Sequence, residues 1–351
     1  VSVPAEVTVG IDVGGTKMLG LALGPDGSVL AERRVPSPHP LGASVGDPAA
    51  AEALLEALAG LVTAVSGDLR AGGGEPVVAV GVGVPGLVDD QGTLRLAPNL
   101  PAGDGVAIAA RLGERVGLRV VADNDATCAA VAEWVLGAAR GAADCLVVTL
   151  GTGIGGGIVC DGRVMRGASG FAGEIGHMVV DPSGPLCTCG KRGCWERFAS
   201  GSGLARLARE AAHAGRLHGV VQLAGGDPDA VRGEHVSAAA AGGDAEAQAV
   251  LDELGRWIAL GLTNLALVLD PERIVLGGGL VEALSLVLGT IRRHFADTLE
   301  GADRRPEIAI VPAALGEQAG AIGAALVARQ DDRYGAGRRH AGTPPAPAPP
   351  G

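Results

Sequence analysis

Two segments far apart in the chain repeat one arrangement of apolar and polar positions. Residues 7–30, "VTVGIDVGGTKMLGLALGPDGSVL", and 145–165, "CLVVTLGTGIGGGIVCDGRVM", each run through an apolar strand, a glycine-rich turn, a second apolar strand and an Asp-Gly pair. Asp26-Gly27 and Asp161-Gly162 between such strands are strong hairpin signals. The repeat, about 140 residues apart, predicts two related halves, each opening with a β-turn-β whose glycines face a shared ligand. Residues 77–89 ("VVAVGVGVPGLVD") and 119–125 ("RVVADND") predict two further strands in the first half. Ala-rich stretches at 49–65 and 106–116 read as helices, and 126–140 as a helix starting directly after Asp125. In the second half, helices are expected over 203–214, 244–269 and 281–299, with a strand over 273–279 that ends in a glycine turn. From residue 338 the chain is Pro-rich, has nothing to bury, and is expected to be a disordered tail.

Composition sharpens this picture. The 351 residues are 47% hydrophobic but only 2% aromatic. Such a core is built from Val, Leu, Ile and Ala, which suits buried parallel strands covered by Ala-rich helices. The length accommodates two α/β domains. With 28 basic against 39 acidic residues the net charge is −11, a poor match to a phosphate backbone, so no nucleic-acid partner is expected. The longest uncharged apolar run, 257–269, is too short to span a bilayer, and Glu6 and Asp12 interrupt the first one. A cytoplasmic protein without a membrane partner is expected. Cys128, Cys145 and Cys160 sit alone in apolar runs and read as buried free thiols of a reducing compartment.

The densest chemistry lies in residues 173–196, "GEIGHMVVDPSGPLCTCGKRGCWE". His177, Cys187, Cys189 and Cys194 offer one imidazole and three thiols, a donor set for tetrahedral Zn²⁺. Gly190 and Gly193 let the backbone turn tightly enough to aim the sulfurs at one point. A metal there would hold a loop presenting Glu174, one turn before His177, and Glu196. In "DVGGTK", Asp12 ends a strand, Gly14 and Gly15 turn it, and Thr16 and Lys17 follow: backbone N–H groups, a hydroxyl and an ammonium for an anion, with Asp12 able to orient Mg²⁺. Thr152 and Gly153 centre a second cradle in "TLGTGIGGG". Residues 151–156 also satisfy G-x-G-x-x-G, but the chain continues as a strand where a dinucleotide-binding turn opens a helix. In "ADNDA", Asn124 and Asp125 end a strand just before a helix, where a general base would stand. Asn99, in "APNLP", is placed to grip hydroxyls, and the glycines 277–279 would let a flat ring approach the backbone.

Together these motifs resemble the ROK family of sugar kinases over residues 7–329, and within it the ROK-type glucokinases of actinobacteria. The matches are "DVGGTK", "GVPGLVD", "APNLP", "DNDA", "LGTGIGGGIV", the Cys/His segment and "VLGGG". The resemblance implies the actin-like (ribonuclease H-like) ATPase fold, with α/β domains at 1–121 and 122–330 around a cleft. The last helix of the second domain would pack back on the first. ATP would lie mostly on the C-terminal side, near Gly277, Gly278 and Gly279. Asp125 would be the base, Asn99, Asn124, Glu174, His177 and Glu196 would hold sugar hydroxyls, and Gly86 would lie against the sugar. Expected ligands are glucose or a related hexose, ATP, Mg²⁺ and a structural Zn²⁺, in a homodimer or homotetramer. N-acetylmannosamine, N-acetylglucosamine and fructose are alternative sugars, and polyphosphate an alternative donor. The chain departs from the family in having "PAGDG" after "PNL", without the usual Trp. Family repressors carry a helix-turn-helix domain before the first phosphate loop; only eleven residues precede Asp12, so an enzyme is expected rather than a regulator.

Overall fold

The computed structural model describes residues 6–38, 47–97, 100 and 104–329. Asn99 and the Pro-rich tail lie outside the described residues. Strands β1 (Val7–Val13), β2 (Lys17–Leu23) and β3 (Val29–Pro36) form an antiparallel meander. Helix α1 (Pro48–Ala71) crosses to β4 (Val77–Val84). A small hairpin, β5 (Leu87–Val88) and β6 (Leu94–Leu96), and α2 (Ile108–Val116) lead to β7 (Arg119–Asn124). The sheet order is β3-β2-β1-β4-β7, with β4 and β7 parallel to β1. Helix α3 (Asp125–Val135) leaves it.

The second half repeats this order. Strands β8 (Cys145–Leu150), β9 (Ile154–Cys160) and β10 (Arg163–Val164) form the meander. Helices α4 (Glu196–Ala199), α5 (Gly201–His213), α6 (His218–Leu223), α7 (Gly233–Ala241) and α8 (Ala245–Leu269) follow. The chain closes with β11 (Arg273–Gly277), α9 (Val281–Thr298), β12 (Ala309–Pro312) and α10 (Ala319–Val327). The second sheet runs β10-β9-β8-β11-β12, again with the second strand antiparallel. Two sheets of one topology, each from a hairpin and parallel crossovers, are the actin-like ATPase fold.

Helix α1 starts where Asp47 accepts the Ala49 N–H at 2.9 Å and Pro48 presets the first turn. By length and composition it would be able to cross a membrane, a property a search for uncharged runs misses. Its buried stripe, Leu54, Leu55, Leu58, Leu61, Val62, Val65 and Leu69, instead packs in one apolar cluster with β1 and β4. A second cluster covers the other sheet with α5, α8 and α9. A third joins them: Leu19, Leu21 and Leu23 of β2 meet Val131 and Trp134 of α3, Val147 of β8 and Ile322 of α10. The layer between the sheets is thus α3 and α10. Cys128 and Cys145 are buried as expected, but Cys160 is exposed, because β9 ends there and turns into a two-residue hairpin partner at the sheet edge.

Candidate active site

Helix α3 begins at the C-terminal end of β7, and its cap ties three neighbouring residues together. Asn124, not Asp125, is the N-cap: its Oδ1 accepts the Thr127 N–H at 3.0 Å and its Nδ2 donates to the Gly86 carbonyl at 3.2 Å. Gly86 sits at φ 118°, where an added Cβ would meet the Leu96 carbonyl oxygen at 2.2 Å. Asp125 then opens the helix with Oδ1 held by the Ala126 N–H at 2.8 Å. Burial raises its proton affinity, partly offset by that N–H and by Asn124. Asp12, at the end of β1, is pushed up to about 7, first by burial and then by the charge of Asp125, against a smaller lowering by Lys17. Two parallel strands of the first sheet, β1 and β7, therefore each deliver a carboxylate at their C-terminal ends. Buried Asp123 takes Arg166 Nε at 2.9 Å and the Asn124 N–H at 2.9 Å, a fixed support that the sequence did not single out.

The Cys/His segment folds beside this pair. Gly193, at φ 72°, lies so close to the Asp181 carbonyl that a Cβ would fall 1.5 Å from its oxygen. Trp195 is fully buried against Gly261 of α8 and donates its indole N–H to the Trp257 carbonyl at 2.7 Å, which pins the backbone between Cys194 and Glu196. The ligand atoms of His177, Cys187, Cys189 and Cys194 lie within 4.8 Å of one another. His177 Nδ1 faces Cys187 Sγ at 3.7 Å, and its Nε2 faces Glu174 Oε2 at 3.9 Å. The Cys187 thiol donates to Glu196 Oε1 at 2.9 Å, and burial with this bond pushes it up to about 12. The opposite carboxylate oxygen of Glu196 lies against Gly153, where a Cβ would meet it at 2.7 Å. Glu174 is raised by burial, lowered by His177, and raised by Asp125 and Glu196. Glu174, His177, Glu196 and Asp125 thus share one neighbourhood, with His177 Nε2 beside Glu174 and its Nδ1 beside both Cys187 and Glu196 Oε1, the latter at 3.8 Å.

On the other side of Asp125 opens a cavity of about 780 Å³. Asp12, Gly14, Lys17, Thr149 and Gly277, Gly278 and Gly279 line it, together with Pro312, Ala314 and Glu317. Gly15, Thr16, Thr152 and Gly153 do not line it. Gly15 and Thr16 are exposed at the tip of the first turn, which the Gly14 N–H closes on the Lys17 carbonyl at 3.0 Å. Lys17 Nζ bonds Glu317 Oε2 at 3.0 Å, and Arg34 approaches the same oxygen at 3.7 Å. Sequence reading found the glycines and Asp12 but not Glu133, Arg34 or the 312–320 wall. The one available signal for Glu133 was a carboxylate amid the apolar positions of "ATCAAVAEWV".

A profile described as the ROK family matches residues 8–331. A glucokinase of Streptomyces coelicolor is 39% identical over 329 residues, 93% of this chain and 98% of that protein. A crystal structure of a ROK family glucokinase from Streptomyces griseus, in complex with glucose and AMPPNP, is 38% identical with a TM-score of 0.79, covering 93% of this chain and all of that one. A ROK hexokinase structure from Thermus thermophilus is 33% identical with a TM-score of 0.70, covering 92% and 97%.

Proposed function

The chain belongs to the ROK family, and on that premise we propose that it is a sugar kinase that moves the γ-phosphoryl group of ATP to the 6-hydroxyl of glucose. The observation that carries this reading is the place of Asp125. It lines the nucleotide-sized cavity on one side and adds to the acidic field around Glu174 on the other. Asp125 takes the hydroxyl proton at Oδ2, while Oδ1 stays with the Ala126 N–H, as the sugar oxygen forms its bond to phosphorus and ADP leaves. Glu174, His177 Nε2 and Glu196 hold the hydroxyls at C1 to C3, with Asn99 and Asn124 taking C3 and C4. Asn124 keeps one N–H for this after bonding Gly86. Gly86 lies against the sugar. Gly14, Gly15, Thr16 and Lys17 receive phosphate oxygens, Thr152 and Gly153 face them from the second turn, and Gly277, Gly278 and Gly279 border the base.

The pair Asp12 and Asp125, the first raised by burial and then by its neighbour's charge and the second by burial, is a hard-oxygen donor set suited to Mg²⁺. Mg²⁺ bound with ATP supplies neutralisation of the charge that develops in the transfer. The imidazole and three thiols fit Zn²⁺, and four protein ligands leave no open position, so its part is structural. Strand β7 pairs with β4 through Asn124, so we place the domain boundary after it rather than at 121/122, and read the protein as a cytoplasmic homodimer or homotetramer. A coupled assay of ADP release across hexoses and N-acetylhexosamines tests the reading. We expect kcat/KM for glucose at least roughly tenfold above that for N-acetylhexosamines, since a site that bonds a hydroxyl rejects sugars lacking it. Faster turnover of N-acetylmannosamine or fructose overturns the sugar; no turnover on any overturns the kinase.

A further inference from the structure

Glu133 is 1% exposed, two turns after Asp125 on α3. Its carboxylate is filled with backbone N–H donors: Ala138 at 2.8 Å, Ala314 at 3.0 and 3.1 Å, and Leu315 at 2.8 Å. The Ala138 bond closes the end of its own helix. The other two donors stand about 180 residues along the chain, in the loop between β12 and α10. That loop is a wall of the cavity, through Pro312, Ala313, Ala314 and Gly316, and Glu133 itself lines the same space. One residue further, Glu317 holds Lys17 of the first phosphate turn. Gly137 leaves room for the carboxylate, since a Cβ there would fall 2.1 Å from Glu133 Oε2.

We propose that Glu133 is a positioning residue for the nucleotide: it locks the 312–317 wall to the helix that carries the base. Packing alone does not call for a carboxylate here, because burying one is costly unless every lone pair is met. What an apolar side chain of the same volume lacks is a fixed direction for two loop N–H groups. Held by them, the wall keeps one distance from Asp125, about 12 Å along α3 by helical rise. Phosphoryl transfer depends on such placement, because its catalysis is mostly alignment and electrostatics. The cap of α3 on Gly86 and Thr127 is independent of Glu133, so the sugar side stays in place when the wall loosens.

The inference rests on the kinase reading, and the test separates the two. Calorimetric titration of the full chain with AMPPNP plus Mg²⁺, and separately with glucose, is made first on the wild type. A wild-type chain that binds no AMPPNP overturns the kinase reading and the inference with it. If it binds, Glu133→Gln, which keeps the volume but turns amide hydrogens toward N–H donors, should weaken AMPPNP about tenfold and glucose by less than about twofold. Steady-state assays should show the same split, with KM for ATP rising more than kcat falls. Gly137→Ala, which leaves the carboxylate but pushes it from its seat, should give the same pattern and decides the matter if Glu133→Gln does not fold. Unchanged AMPPNP affinity in a folded variant overturns the proposal. Equal weakening of both ligands also overturns it, since that marks a general loosening of the fold.

Discussion

At the scale of single residues, two carboxylates, Asp12 and Asp125, meet at one spot. Asp125 is desolvated but still oriented by an N–H, which keeps its lone pair aimed while making it a stronger base than a surface Asp. Asp125→Asn retains the shape and the Ala126 bond but cannot accept the hydroxyl proton. Its kcat should fall by at least ~10²–10⁴-fold, with glucose affinity by titration held near the wild-type value; retention of a tenth of the activity would exclude the role. Asp12 gives a second, pH-dependent expectation. Its folded-state value of about 7 lies above the ordinary 3.8, so the folded chain binds more protons than the unfolded one between these values. Stability from this group is therefore fully present below about pH 4 and is lost as pH rises to about 7, each tenfold change in proton affinity being worth ~1.4 kcal/mol. In magnesium-free buffer without nucleotide, Tm should fall from pH 5 to pH 8, and Asp12→Asn should flatten that fall. Parallel slopes in the two proteins would contradict the raised proton affinity of Asp12 that burial, and then the charge of Asp125, produces.

Among the elements, the segment from Glu174 to Glu196 ties a metal-type donor set to the groups proposed to hold the sugar through buried backbone. Only Trp195 separates Cys194 from Glu196, and it is fully buried with its indole N–H on the Trp257 carbonyl, so ordering the sulfurs orders the carboxylate. Purified protein should carry one zinc per chain by elemental analysis. Cys189→Ser should lower that content and weaken glucose binding before AMPPNP binding, because the cavity wall at Gly277–Gly279 belongs to another element; zinc-free wild-type protein with full glucose affinity would refute this. This segment was legible because its residue types are rare and closely spaced, as were the paired hairpins, whose strands alternate with Asp-Gly and glycine turns. Other elements were not. Strand β12 has only four residues, and α10, "AGAIGAALV", is apolar on every side, so no amphipathic stripe marks its bounds. Strand β3 is charged and mostly exposed at the sheet edge, a pattern that discourages pairing with another chain and carries little trace of burial. The partners of Glu133 and Glu317 could not be read from local sequence, because they are backbone groups about 180 residues away and a lysine 300 residues away, which no short spacing records.

For the whole molecule, the decisive layer is the one shared by both sheets. Helices α3 and α10 approach each other, and α10 approaches the first sheet, at backbone distance. An added Cβ would lie 1.6 Å from the Cys128 carbonyl oxygen at Gly323, 1.8 Å from that of Ala324 at Gly81, and 1.9 Å from that of Ala321 at Gly10. These obstacles are main-chain atoms that no rotamer change can remove. Gly323→Ala must therefore move α3 or α10 as a body, and α3 carries Asp125 and Glu133 together. Overpacking between side chains costs ~1–3 kcal/mol; with rigid backbone on both sides the loss should reach or exceed the top of that range. Gly60 and Gly67 of α1 provide the control, since a Cβ meets nothing within 4 Å at either. Ala there should be neutral or stabilising by up to ~1 kcal/mol through helix propensity. Thermal denaturation should accordingly rank Gly323→Ala far below wild type and Gly67→Ala at or above it. Where Gly323→Ala still folds, glucose and AMPPNP should weaken together, because the two proposed sites flank the displaced helix, in contrast to the nucleotide-only effect expected at Glu133. A Gly323→Ala protein with wild-type Tm would show that the two helices do not pack through that glycine, and the common frame between the sheets would have to lie elsewhere.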